Sequence, residues 1–192
     1  MKKIISVIFL SLLIFKSTLA ENYSTDPKTF VQELVNDATT KLADKNLTKE
    51  EKESFVEKLA LNNVDINALS LYTLGELRKS SEKNDLLRYQ KVFEKYFLKS
   101  LTSRLTDYSS NKFEVVSADK KSVNYTIVKS KIIESSNQPE IKIDWRIYTK
   151  NPDNPLIRDL IIEGLSLART QKEEFASILN SNDNDINALF KT

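Results

Sequence analysis

The sequence contains no histidine and no cysteine, and only two glycines, Gly75 and Gly164. Without histidine or cysteine there can be no His-based triad and no His or Cys metal site. Two isolated glycines cannot build a phosphate-cradling loop or a dinucleotide fingerprint. The absence of cysteine also removes disulfides and any cysteine-linked lipid anchor, so the fold has to rest on one hydrophobic core. The longest apolar run, Ile4 to Phe15, is too short to span a bilayer, which takes about 20 residues.

That run has another reading. Met1-Lys2-Lys3 precedes it, and Thr18-Leu19-Ala20 follows with small residues. This is the three-part pattern of a cleavable secretory signal over residues 1–20, leaving a single domain over 21–192. In a Gram-negative cell the product would be periplasmic. The leader holds Lys2, Lys3 and Lys16 and no acid, so of 29 basic and 27 acidic residues, 26 and 27 remain, a net charge of −1. A nucleic-acid binder would carry a concentrated basic face, so none is expected as a partner.

The clearest local pattern lies between Glu140 and Leu167. Ile141-Lys142-Ile143-Asp144-Trp145-Arg146-Ile147-Tyr148 alternates apolar and polar residues, as a strand with one dry and one wet face does. The turn Asn151-Pro152-Asp153-Asn154-Pro155 separates it from a second apolar run that begins at Leu156 and ends at Gly164-Leu165-Ser166-Leu167. Upstream helices are expected to cover the dry face. Asp26-Pro27 predicts a first helix start, Thr48 with Glu51 a capping box, and Asp65 the cap of a third helix with Gly75 inside it. Glu82 to Tyr108 reads as a long helix of about 40 Å, with Tyr89, Phe93, Phe97, Leu101 and Leu105 in one stripe, long enough to lie across a sheet. Phe113 begins a strand, Asp119-Lys120-Lys121 reads as a turn, and Val123, Tyr125 and Ile127 open the next strand. Ser135 to Pro139 reads as a loop. Thr170 with Glu173 predicts a late helix, and Asp185 a last short turn. The pentapeptide Asp-Ile-Asn-Ala-Leu at 65–69 and 185–189 is read as two helix starts. The expected class is α+β: a curved antiparallel sheet of about four strands, covered on one face by helices.

Several segments then resemble one family. Val64-Asp65 with Leu74-Gly75 and Arg78, the stripe from Phe93 to Tyr108, and Asp159 with Ile162-Glu163-Gly164-Leu165-Ser166-Leu167 resemble the MlaC family, also known as the toluene-tolerance auxiliary family. Phe175 and Leu179 resemble the helix that follows. Leu77 stands where that family usually has Trp, and Leu156 near a second such position. The resemblance implies a cone related to the nuclear-transport-factor-like (NTF2-like) fold, with phospholipid acyl chains between sheet and helices and no enzymatic activity. It also implies two partners, an inner-membrane Mla-type ABC transporter complex and an outer-membrane lipoprotein complex.

For such a carrier a deep, featureless apolar pocket is expected. The candidate wall is Leu69, Leu74 and Leu77 on the third helix, Phe93, Phe97 and Leu101 on the long helix, and Ile143, Trp145 and Ile147 on the sheet. Asp159 and Glu163 are the candidates for a general acid or base should the cone instead house an enzyme for a small apolar substrate, with a salt bridge to Arg158 or Arg146 as the simpler role. Arg78, Arg88 and Arg104 are candidates to meet a phosphate. A third reading is an interaction module whose core is simply filled.

Overall fold

The computed structural model describes residues 23–105, 112–133 and 140–191. The expected leader and the 135–139 loop lie outside the described residues. The order is α1 (Pro27–Ala43), α2 (Lys49–Asn63), α3 (Ile66–Thr73), a 3₁₀ turn (Gly75–Lys79), α4 (Lys83–Leu105), β1 (Lys112–Ser122), β2 (Tyr125–Ile133), β3 (Ile141–Tyr148), β4 (Leu156–Ile162), β5 (Leu165–Ser166), α5 (Leu167–Asn180) and a last 3₁₀ turn (Ile186–Phe190). The strands form one antiparallel sheet in the order β1-β2-β3-β4-β5, the α+β class expected.

The helix starts follow local chemistry. Asp26 Oδ1 accepts from the Thr29 amide at 2.9 Å, with Pro27 at the first helical position. Thr48 and Glu51 form a reciprocal capping box on α2. Asp65 and Asp185 each cap the turn that the shared pentapeptide begins.

Elsewhere, longer-range contacts override the local pattern. The turn expected at Asp119-Lys120-Lys121 lies instead at Val123-Asn124, because β1 continues through a bulge to Ser122. The late helix starts at Leu167 and not after Thr170. Ser166 Oγ accepts from the Arg169 amide, while the Thr170 hydroxyl donates back to the Ser166 carbonyl. Gly75 is not in a helix interior. It follows the last residues of α3 at φ +58°, a conformation that glycine adopts without strain. An added Cβ would meet Lys172 Cε at 3.2 Å, so the close neighbour is a side chain rather than another backbone.

Two apolar clusters organise the molecule. In the first, Phe30, Val31 and Leu34 of α1 pack on Val115, Val128, Ile143, Trp145, Ile147 and Ile157 of the sheet. In the second, Tyr89 and Phe93 of α4 pack with Ile66 and Leu74, with Phe175 and Leu179 of α5, and with Ile186 and Leu189. The long helix therefore packs on other helices and does not lie across the sheet as its length suggested. Burial pushes the Tyr89 phenol up, and its hydroxyl shares a 2.8 Å hydrogen bond with Thr73.

Candidate functional site

The sheet uses its two faces differently. Trp145 pairs with Val128 and Leu160, and Ile147 with Thr126 and Ile157. Alternation puts these residues on the face that α1 covers. Arg146 pairs with Ile127 and Asp159, and Tyr148 with Tyr125, so these lie on the opposite face. Over that second face stand α3 and α5, which rest mainly on β4.

Their N-termini are tied there. The Asp65 amide donates to the Ile157 carbonyl at 2.9 Å. The Asp65 carboxylate accepts from Arg158 Nε at 2.8 Å and pairs with Nη2 at 2.7 Å, while its other oxygen caps α3. Arg158 Nη1 also donates to the Tyr125 hydroxyl at 2.8 Å, and the guanidinium stacks 3.4 Å above the Tyr148 ring. Asp159 performs the same task for α5. It is buried, and it accepts from Ser166 Oγ at 2.6 Å and from the Ala168 amide at 3.0 Å. Glu163 and Gly164 turn β4 into β5, both at positive φ (49° and 83°). The Glu163 carboxylate accepts from the Lys142 amide, which holds this non-glycine residue in its left-handed conformation.

Between this tethered helical layer and the sheet lies a cavity of about 590 Å³. Its helical wall is Ala68, Leu69, Tyr72 and Ala168; its sheet wall is Lys121, Ser122, Tyr125, Ile127, Arg146 and Arg158. The size is within the about 300–1,000 Å³ usual for ligand sites. One wall is apolar and the other carries cations, so the cavity is not the featureless slot expected.

Of the expected wall, Leu69 lines this cavity. Leu74 and Phe93 are buried in the helical core, and Leu77 and Phe97 pack against its edge. Leu101 is half-buried further along α4. Ile143, Trp145 and Ile147 belong to the core beneath α1, on the other face of the sheet. The structure thus divides the expected residues between two separate clusters, with Leu69 at the cavity and Leu101 in neither cluster.

The candidate cations are also placed elsewhere. Arg78 donates to the Gly75 carbonyl, Arg88 sits over the Phe190 ring, and Arg104 is exposed. The cations at the cavity are Lys121, Arg146 and Arg158. Arg146 could have been found from its place on the wet side of the β3 alternation. Lys121 and Arg158 could not, because each sits at a register shift. Asp159 pairs with Arg146 at 3.8 Å, whereas Arg158 pairs with Asp65.

The model of the MlaC protein family matches residues 30–192. The chain belongs to the MlaC family. No curated protein matches it. A structure from Ralstonia solanacearum, described as a phospholipid-binding protein in complex with a phospholipid, is similar in fold, with a TM-score of 0.68 at 18% identity. The similarity covers 84% of this chain and 90% of that one. Among the described residues no helix is long and apolar enough to cross a membrane.

Proposed function

We propose that this MlaC-family protein is a periplasmic phospholipid carrier. It would shuttle lipid between an outer-membrane lipoprotein complex and an inner-membrane ABC transporter complex. The observation that carries this reading is the cavity between the α3–α5 layer and the wet face of the sheet. Family membership and the fold shared with a phospholipid-bound protein support it.

The thermodynamic task is definite. Each exposed acyl methylene costs about 0.8 kcal/mol, so roughly thirty of them cost about 24 kcal/mol in water. No lipid diffuses free at that cost, and a carrier need only cover the chains about as well as a bilayer does. If a methylene takes about the 30 Å³ of a water molecule, thirty need about 900 Å³. That is of the same order as the 590 Å³ present, and a two-chain lipid is accommodated most readily if the helical layer moves further off the sheet. The tethers are at β4, which leaves the β1–β2 side to open.

The enzyme reading has less support. Both oxygens of Asp159 are occupied by donors that fix the start of α5, and Glu163 holds a turn. A general base must reach the substrate proton, and neither carboxylate is among the residues that line the cavity. The carrier reading is tested by organic extraction and mass spectrometry of protein purified without detergent. Phospholipid at near-stoichiometric amounts is expected; none would contradict the reading.

A further inference from the structure

The two walls of the cavity differ in chemistry, and the sheet wall is cationic by construction. The β1–β2 register shifts between Lys120 and Ser122, leaving Lys121 without a cross-strand partner. The β3–β4 register shifts between Arg146 and Ile147, leaving Arg158 in the same position on β4. Bulges re-aim side chains beside functional sites. Here two of them each add a cation to one cavity, beside Arg146. No Asp or Glu is among the residues that line it.

The cations are not equivalent. The Arg158 guanidinium is engaged at 2.7–2.8 Å by Asp65 and Tyr125 and is stacked on Tyr148. Arg146 and Lys121 are open. Their acidic partners are Asp159 and Asp119, each at 3.8 Å, beyond hydrogen-bond distance. Asp159 is already occupied by Ser166 and Ala168, and Asp119 is shared with Lys129 at 3.3 Å. A hydrocarbon ligand against this wall would strip water from two charges without replacing their partners, which is unfavourable. An amphiphile with an anionic end satisfies both walls at once.

Resting on the carrier reading, we infer that Arg146 and Lys121 form a subsite for the phosphate of the bound lipid, with its acyl chain lying along Ala68, Leu69, Tyr72 and Ile127. The planar guanidinium of Arg146 matches two phosphate oxygens, and Lys121 supplies a point charge beside the β1–β2 turn. Arg158 is the fixed member, which holds α3 in place while the other two exchange their weak acidic partners for the ligand.

The test uses lipid-stripped protein and vesicles containing equal parts of phosphatidylglycerol and diacylglycerol with matched chains. Protein-bound lipid is then extracted and counted. The wild type is expected to favour phosphatidylglycerol by about tenfold or more, the ordinary worth of a charge-assisted hydrogen bond. Arg146→Gln should bring the ratio towards one, with diacylglycerol replacing phosphatidylglycerol in the bound fraction, and Arg146→Lys should recover part of it. Lys121→Gln, at an exposed position on the sheet edge, should lower the ratio less and guards against misfolding of the first variant. An unchanged ratio in both Gln variants, with lipid still loaded, overturns the subsite and leaves the carrier reading standing. No lipid loaded by the wild type overturns both. Calorimetry with inorganic phosphate forms the last arm: binding that Arg146→Gln abolishes, with no lipid preference in the vesicle assay, would assign the site to a free anion and overturn the lipid assignment.

Discussion

The two faces of one sheet carry out opposite tasks. Beneath α1, Val128, Ile147 and Val31 are wholly buried, and Trp145 donates its indole N–H to Ser130 at 2.8 Å. Beneath α3 and α5, Tyr125 and Ile127 are only half-buried, and a cavity separates them from Leu69. The same alternation generates both faces, giving apolar side chains to one and cations to the other. The covering helices are held accordingly. The α1 helix lies on its face through apolar contact along Phe30, Val31 and Leu34. The other layer is fixed to β4 by the polar ties of Asp65 and Asp159 and finds its own apolar partners in α4. A helical layer with a core of its own can stand off the sheet without exposing that core.

This contrast can be broken most strongly from the filled side. Ile147→Ala should destabilise the protein by about 2–5 kcal/mol, the usual range for emptying a buried aliphatic site, as read by denaturant unfolding. Ile127→Ala, one strand away on the other face, should cost well under half of that while lowering lipid load. Equal losses would mean that the two faces are packed alike. Next in size is the clasp. Arg158→Gln removes the charged hydrogen bonds to Asp65 and Tyr125, and a loss of about 1–3 kcal/mol is expected. Amide exchange should then rise in α3 but not in α1; protection lost equally in both would refute the separate tethering.

Filling the cavity should affect function more than stability. Ala68→Trp is expected to shift unfolding by about 1 kcal/mol or less, because space is available, and to abolish lipid co-purification. The smallest effect is in the caps. The Asp26 carboxyl is held below its usual value chiefly by the Thr29 amide, and that of Asp185 by the Asn187 amide. A lowered carboxylate value contributes stability above the usual carboxylate range, and this is lost as pH falls through the folded-state value. Melting temperature should therefore decline below about pH 4, and Asp26→Asn, which keeps the cap without the charge, should flatten that decline slightly.

Much of the architecture was legible locally. Asp26-Pro27, Thr48 with Glu51, Asp65 and Asp185 each begin a turn of helix with partners one turn away, so the sequence carries the whole interaction. The β3 alternation likewise identified Ile143, Trp145 and Ile147 as one buried set. What it could not convey is which element does the burying. The Phe93 and Phe97 stripe and the Trp145 stripe are both apolar and complementary in length, yet α1 took the sheet and α4 took the helices. The start of α5 was read at Thr170, whereas Ser166 is the cap; the deciding partner, Asp159, is remote from the helix's own signal. The cavity was the least legible feature. It lies on the polar face of β3, where Arg146 looks like any solvated strand residue, and its other cations sit at bulges that the alternation does not reveal.

The most direct test uses Trp145, the sole tryptophan of the chain, which reports on the filled face. Protein loaded with phospholipid brominated along its acyl chains should leave Trp145 fluorescence nearly unchanged. Tyr72→Trp, a nearly volume-conserving change on the cavity wall, in a Trp145→Phe background, should be strongly quenched by the same lipid. Strong quenching of Trp145 in the wild type, with none at position 72, would place the acyl chains beneath α1 and contradict the account.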